Sequence, residues 1–129
     1  MLKDATTFSS FSFNDLSKAK AFYEQTLGLE VKERMGLLDV TLPGSNHLMI
    51  YPKPDHTPAT FTVLNFRVKD IDSTVTQLTE KGVTFEHYDN PDMKSDARGV
   101  VSDARMKMKI AWLKDPAGNI LSLIEGHME

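Results

Sequence analysis

The sequence predicts an α+β fold made of two successive βαβββ modules, and three observations predict it. The chain matches itself at an offset of 55 residues, the distance from Phe11 to Phe66 and from Asp15 to Asp70. Within each copy the apolar spacing passes from alternation to helical spacing and back to alternation. The joints between these stretches carry glycine, proline, asparagine and aspartate, the residues of turns and helix ends.

The chain has 129 residues, enough for one ordinary domain over residues 1–129, with a first module at about 6–54 and a second at about 60–125. In the first copy the segment Phe8–Phe13 reads as a strand, and in the second Val63–Val68 lies over it. Asp15 and Asp70 follow as helix N-caps, whose side-chain oxygens satisfy the unpaired N–H groups of a first turn. Leu16, Ala19, Phe22, Tyr23 and Leu27 then recur at helical spacing, as do Ile71, Val75 and Leu78. Each helix is expected to stop at a glycine, Gly28 or Gly82, able to take the left-handed conformation. Three strands are expected after each stop: Leu29–Lys32, Leu37–Leu42 and His47–Tyr51, then Val83–His87, Met106–Leu113 and Asn119–Ile124.

Composition narrows the function classes. Hydrophobic residues make up 40% and charged residues 26%, which supports a packed core. A net charge of −3 gives no electrostatic footprint for a phosphate backbone, so nucleic acid is not expected as a partner. No cysteine is present, which excludes disulfides, thiolate nucleophiles and Cys-ligated metals and suits a reducing compartment. With neither a basic leader nor an apolar run near ~18 residues, a cytoplasmic protein without a membrane partner is expected. Gly-x-Ser-x-Gly and phosphate-loop motifs are both absent, and no pair of carboxylates is fixed as acid and base.

The motifs Asn14-Asp15-Leu16, Phe22-Tyr23, Leu27-Gly28-Leu29, Lys69-Asp70-Ile71-Asp72 and Asp115-Pro116-Ala117-Gly118-Asn119 occur in that order. Together, over roughly residues 6–125, they resemble the vicinal oxygen chelate superfamily of glyoxalases, bleomycin resistance proteins, fosfomycin resistance enzymes and extradiol dioxygenases. The resemblance implies a cupped, incomplete barrel with helices on the convex face and the site on the concave one. It also implies a homodimer, since relatives of this size pair two chains to cover open sheet edges.

Alternation along the strands assigns the faces independently. Phe11 and Phe13, Leu64, Phe66 and Val68, and Leu121 and Leu123 form apolar sets that must meet the helices. Ser10, Ser12, Asn65, Arg67 and Ser122 are left on the inner surface, with Phe8, Val63 and Ile124 among them. Metal-dependent members of the family place His, Gln or Glu where this chain has Phe8, Val63 and Ser122. A phenyl ring, an isopropyl group and a neutral hydroxyl do not supply the about three ligands a catalytic divalent ion needs. No metal and no cofactor is therefore expected, and no catalytic residue is assigned.

Other residues have two readings each. Arg67 on an inward strand is costly unless an internal carboxylate or a ligand pairs with it. Trp112 shares a face with Met106, Met108 and Ile110, so it serves either as core or as a stacking surface. Tyr51 ends a strand, where its phenol either closes the cup or meets solvent. His47 shares a face with Met49 and Tyr51; a satisfied structural histidine is the plainer reading, and His56 and His127 read as solvated. The stretch from Gly82 to Met106 takes 24 residues where Gly28 to Leu37 takes nine, so Tyr88–Arg105 is an insertion, either a lid over the mouth of the cup or a disordered loop.

The function expected is metal-free binding of a small molecule in the cup, as in bleomycin resistance proteins. Ser10, Tyr51, Asn65, Arg67, Trp112 and Ser122 are the expected ligand-binding residues. The alternatives are a lyase, isomerase or dioxygenase of the same superfamily with non-standard metal ligands, and a regulatory dimer with a vestigial cup. The residues leave open whether the chain is an enzyme.

Overall fold

The computed structural model describes residues 1–126 except Ala104 and Met106. Met106, expected to open the seventh strand, and the tail residue His127 thus lie outside the described residues. The chain divides into two compact units, Met1–Thr57 and Pro58–Glu129. Each carries a four-stranded sheet with a helix packed on one face.

In the first unit β1 spans Ser9–Phe13, β2 Glu30–Arg34, β3 Leu37–Leu42 and β4 Asn46–Pro52, in the spatial order β1-β4-β3-β2. β1 runs parallel to β4, and the other pairs are antiparallel. Such a parallel pair needs a crossover, and helix α1 (Leu16–Lys20) begins it. Asp15 caps α1, its Oδ1 accepting the Ser17 and Lys18 N–H groups at 3.1 and 3.3 Å. The helix was expected to run uniformly to Gly28; instead it widens into π-type turns over Ala21–Thr26, and the Leu27 N–H reaches the Phe22 carbonyl at 2.9 Å. Bulky neighbours accompany the widening: Phe22 and Tyr23 stand edge to face at 5.1 Å, and Tyr23 meets Phe11 at 6.1 Å. Tyr23, Phe13, Leu38, Val40, Leu48 and Ile50 are fully buried. Burying a large apolar side chain of this kind contributes about 1.5–3 kcal/mol.

In the second unit β5 spans Thr62–Arg67, helix α2 Ile71–Glu80, β6 Asp89–Asn90, β7 Met93–Lys94, β8 Val101–Asp103, β9 Met108–Lys114 and β10 Ile120–Glu125. The main sheet has the order β5-β10-β9-β8, repeating the topology of the first unit. Asp70 caps α2 through Ser73 N–H at 3.1 Å, and Glu125 Oε1 accepts the N–H of Ile71 at 2.9 Å. A tight turn joins β9 to β10. The buried Asp115 carboxylate accepts the N–H groups of Ala117 and Asn119 and the Asn119 side-chain amide, each at 2.9 Å.

Three expectations are corrected here. Val83–His87 is not a regular strand, since only Phe85 bridges to the sheet, opposite Leu113. The fourth strand of the sheet is β8, which lies inside the insertion. The described part of that insertion is not a disordered loop: it is the hairpin β6–β7 followed by β8 paired to β9. Arg98 fastens it to α2, its Nη2 lying 2.7 Å from Asp72 Oδ1 and 3.3 Å from Asp96 Oδ2. Burial pushes the Asp96 carboxyl up, but the N–H groups of Val100 and Arg98 and the guanidinium outweigh it and hold the carboxyl below its ordinary value.

Candidate functional site

In the second unit α2 covers one face of the sheet, where Leu64, Phe66, Leu113, Leu121 and Leu123 point. Register defines the opposite, helix-free face. Asn65 lies beside Ser122 and Ser122 beside Trp112, so three strands in succession contribute one row. The next row holds Arg67, Ile124 and Ile110.

Register also shows an irregularity at Val63. β5 carries an extra residue here: Ile120 pairs with Thr62 while Leu121 pairs with Leu64, so Val63 has no partner in the ladder. Such a bulge leaves one residue unpaired and shifts the faces before it. Thr62 therefore takes the helix-free position, and the Trp112 Nε1–H donates to Thr62 Oγ1 at 3.2 Å. Since β10 lies between β9 and β5, the indole must extend across β10. Tyr88, from the start of the insertion, meets it edge-on at 5.3 Å and 80°. Trp112 is half-buried.

Ser122, 1% exposed, donates its hydroxyl to Asn65 Oδ1. Asn65 is itself exposed. So is Arg67, and the desolvation cost expected of it does not arise, because β5 is an edge strand whose side chains reach water. Asn65, Arg67, Trp112 and Ser122 thus share one face, joined by Thr62 and Tyr88, which the sequence reading missed. Tyr88 was readable only as part of an insertion, and the bulge that positions Thr62 leaves no mark in the alternation.

Ser10 and Tyr51 belong to the first unit, on the helix-free face of its sheet. Ser10 pairs with Met49 and Ser12 with Tyr51. Ser10 is exposed and Tyr51 is 39% exposed. The same face carries a charged cluster in which Asp39 receives His47 Nδ1 at 2.8 Å and Arg34 Nε at 3.2 Å. His47 is in this sense a satisfied histidine. His56 is not the solvated residue expected: its Nδ1 is hydrogen-bonded to Ser12 Oγ, and its Nε2 is buried with no hydrogen-bond partner among the described residues.

The positions where metal-dependent relatives carry ligands do not fit a metal here. Phe8 precedes β1 and is 67% exposed, Val63 has no donor atom, and the Ser122 hydroxyl is engaged by Asn65. Among the described residues no three His, Asp or Glu side chains stand together as a ligand set. The second face carries an aromatic ring, an amide and, in the next row, a guanidinium.

The sequence matches the model of the Glyoxalase/Bleomycin resistance protein/Dioxygenase superfamily over residues 10–123. No curated protein matches it significantly. Among solved structures, a genomically encoded fosfomycin resistance protein of Listeria monocytogenes superposes with a TM-score of 0.75 at 12% identity, over 97% of this chain and 95% of that one. An antibiotic binding protein from a Streptomyces species gives a TM-score of 0.64 at 23% identity, over 96% and 98%. A superfamily member from Sphaerobacter thermophilus gives 0.67 at 26% identity, over 93% and 97%.

Proposed function

The chain belongs to the Glyoxalase/Bleomycin resistance protein/Dioxygenase superfamily, and on that premise we propose that it binds a small molecule without the help of a metal. The observation that carries this reading is the make-up of the helix-free face of the second sheet. The half-buried Trp112 and the exposed Asn65 stand in one row of that face with Ser122 between them, and Ser122, at a position where metal-dependent relatives carry a ligand, spends its hydroxyl on Asn65. Small-molecule sites typically combine apolar or aromatic surface with a few placed polar groups. Arg67 extends this set along β5, and on the helix-free face of the first sheet Ser10 and Tyr51 are proposed as ligand contacts of that module. The likeness in fold to an antibiotic binding protein is in keeping with such a role.

Elemental analysis tests the metal-free part. Protein purified without added metal is expected to hold well under one equivalent of Zn, Ni, Mn or Fe. A thermal-shift screen of flat aromatic compounds is expected to give ligands whose effect survives a chelator. A stoichiometric metal whose removal abolishes ligand binding overturns the proposal in favour of a metal-dependent enzyme. The proposal extends to a cytoplasmic location and to a homodimer, the latter because among the described residues β1 and β2 in one sheet and β5 in the other are edge strands that a second copy would cover. Sedimentation giving a concentration-independent mass near 14.5 kDa would refute the dimer.

A further inference from the structure

On the reading of the second helix-free face as a ligand site, we infer that Ser122 is a positioning residue: it holds the Asn65 amide with its N–H donors outward beside the Trp112 ring, so that the face selects flat aromatic molecules carrying a carbonyl or carboxylate oxygen next to the ring.

The hydroxyl of Ser122 decides the orientation of the amide. Its side chain is 1% exposed and its O–H donates to Asn65 Oδ1. A reversed amide would bring Nδ2 to Ser122 Oγ and leave a buried O–H without an acceptor among the described residues, which is unfavourable where water cannot replace it. With Oδ1 taken by Ser122, the two N–H bonds of Nδ2 remain, and among the described residues no acceptor faces them. Because Asn65 is exposed, they are open to a ligand.

The indole has no comparable donor to offer. Its N–H is committed to Thr62 Oγ1 at 3.2 Å, and Tyr88 stands edge-on at 5.3 Å. What remains is π surface. Asn65 and Trp112 sit on strands separated only by β10, two strand spacings of about 4.8 Å each, and the indole closes part of that gap by leaning toward β5. A ring stacked on Trp112 therefore brings an oxygen substituent within reach of the amide. A substituent that only donates meets just the second lone pair of Oδ1, the first being taken by Ser122, whereas one that accepts meets two N–H bonds.

Trp112 is the single tryptophan of the chain, so its fluorescence reports this face alone. Two probes of matched shape are titrated: 2-acetylnaphthalene, with a carbonyl, and 2-isopropenylnaphthalene, with a methylene in its place. The measured quantity is the ratio of their dissociation constants in the wild type, Asn65→Ala and Ser122→Ala. Loss of one hydrogen bond is expected to reduce the preference for the carbonyl probe about three- to tenfold in Asn65→Ala. Ser122→Ala should reduce it in the same direction while leaving the isopropenyl probe's affinity unchanged. Asn65→Ala takes the acceptor away from the buried Ser122 hydroxyl, so the melting temperature of each variant is measured first, and Asn65→Ala/Ser122→Ala, which removes both partners together, replaces either single variant that does not fold. An unchanged ratio in Asn65→Ala overturns the inference while leaving the face a binding site. A ratio lowered in Asn65→Ala but not in a folded Ser122→Ala removes the positioning role of Ser122. If neither probe alters the fluorescence or the melting temperature of the wild type, the binding face itself is wrong and the inference falls with it.

Discussion

Asp115 is where the most recognisable motif of the sequence meets a measurable load. Its carboxylate is 4% exposed and accepts three N–H donors at 2.9 Å, two of them from Asn119, which is 2% exposed. Asp115→Ala leaves these donors in a space where water has little access. An unsatisfied buried donor costs about 1–3 kcal/mol. Counting the two Asn119 donors fully and the half-buried Ala117 N–H in part gives a loss of roughly 3–5 kcal/mol. Total stability of a domain is only about 5–15 kcal/mol, so the variant should be folded marginally if at all.

The assay is equilibrium urea unfolding followed by circular dichroism. With a slope of about 1–3 kcal/mol per molar urea, a loss of this size lowers the midpoint by roughly 2 M. Asp115→Asn is the control. It keeps one acceptor oxygen for the two backbone N–H groups but sets an amide donor against Asn119 Nδ2, so its loss should be smaller, about 1–2 kcal/mol. If Asp115→Ala unfolds within about 0.3 M of the wild type, the turn is held by something other than this carboxylate. The outcome bears on the ligand face as well, because the turn sets the register of β10 and hence where Ser122 falls.

Three further outcomes are expected. Gly99 has φ +97°, and a Cβ there would lie 2.9 Å from Phe85 Cβ and 3.0 Å from the Glu86 carbonyl oxygen, so Gly99→Ala should cost roughly 2–4 kcal/mol in the same unfolding assay; a change under about 0.5 kcal/mol would show that the insertion does not pack on Phe85. Arg98→Ala should increase protease cleavage within residues 88–103, since Arg98 ties that segment to Asp72, and an unchanged cleavage rate would mean that the β8 pairing alone holds it. The Ser17 hydroxyl, then the Lys18 N–H, hold the Asp15 carboxyl below its ordinary value of 3.8. Its contribution to stability is therefore complete above that value and is lost as pH falls through the lower folded value. Asp15→Asn keeps an acceptor without titrating, so its unfolding midpoint should fall less steeply below about pH 4; superimposable acid limbs would contradict the cap.

What was legible in the sequence was whatever local chemistry dictates. Asp15 and Asp70 cap their helices because a carboxylate there meets unpaired N–H groups. Phe11, Phe13, Phe66, Leu121 and Leu123 fall on the helix side because a strand places alternate residues on opposite faces. Illegible were features fixed by contacts between distant segments or by elements too short for a period. β8 has three residues and β6 and β7 two each, fewer than alternation needs to show itself. The Ser12–His56 pair joins residues 44 apart, and nothing near His56 in sequence distinguishes it from a solvated loop residue. Asn65, Arg67 and Ser122 were placed by alternation, which the bulge spares because it lies before them; that Val63 sits within the bulge, without a ladder partner, left no sign in the sequence.

The two sheets repeat each other closely in register, with Ser10 beside Met49 in one and Asn65 beside Ser122 in the other. Their helix-free faces nevertheless differ in what they leave unsatisfied. On the first, Asp39 is shared by His47 and Arg34, and the Thr41 hydroxyl donates to Glu30 at 3.1 Å. These polar groups answer one another, so they hold the strands together and offer little to a ligand. On the second, Thr62 consumes the indole N–H and Ser122 consumes the amide oxygen, which leaves a ring surface and two outward N–H bonds. A repeat can diverge in this way because the helix-facing side chains carry the packing, whereas the opposite face is free to vary. If the proposed function holds, recognition of an aromatic ligand falls mainly to the second module, and substitutions at Asp39 or His47 should act on stability before they act on binding. Asn65→Ala should weaken ligand binding and, because it strips the buried Ser122 hydroxyl of its acceptor, lower the midpoint as well, whereas Asn65→Ala/Ser122→Ala should weaken binding with the smaller loss of midpoint when both are measured on the same preparations.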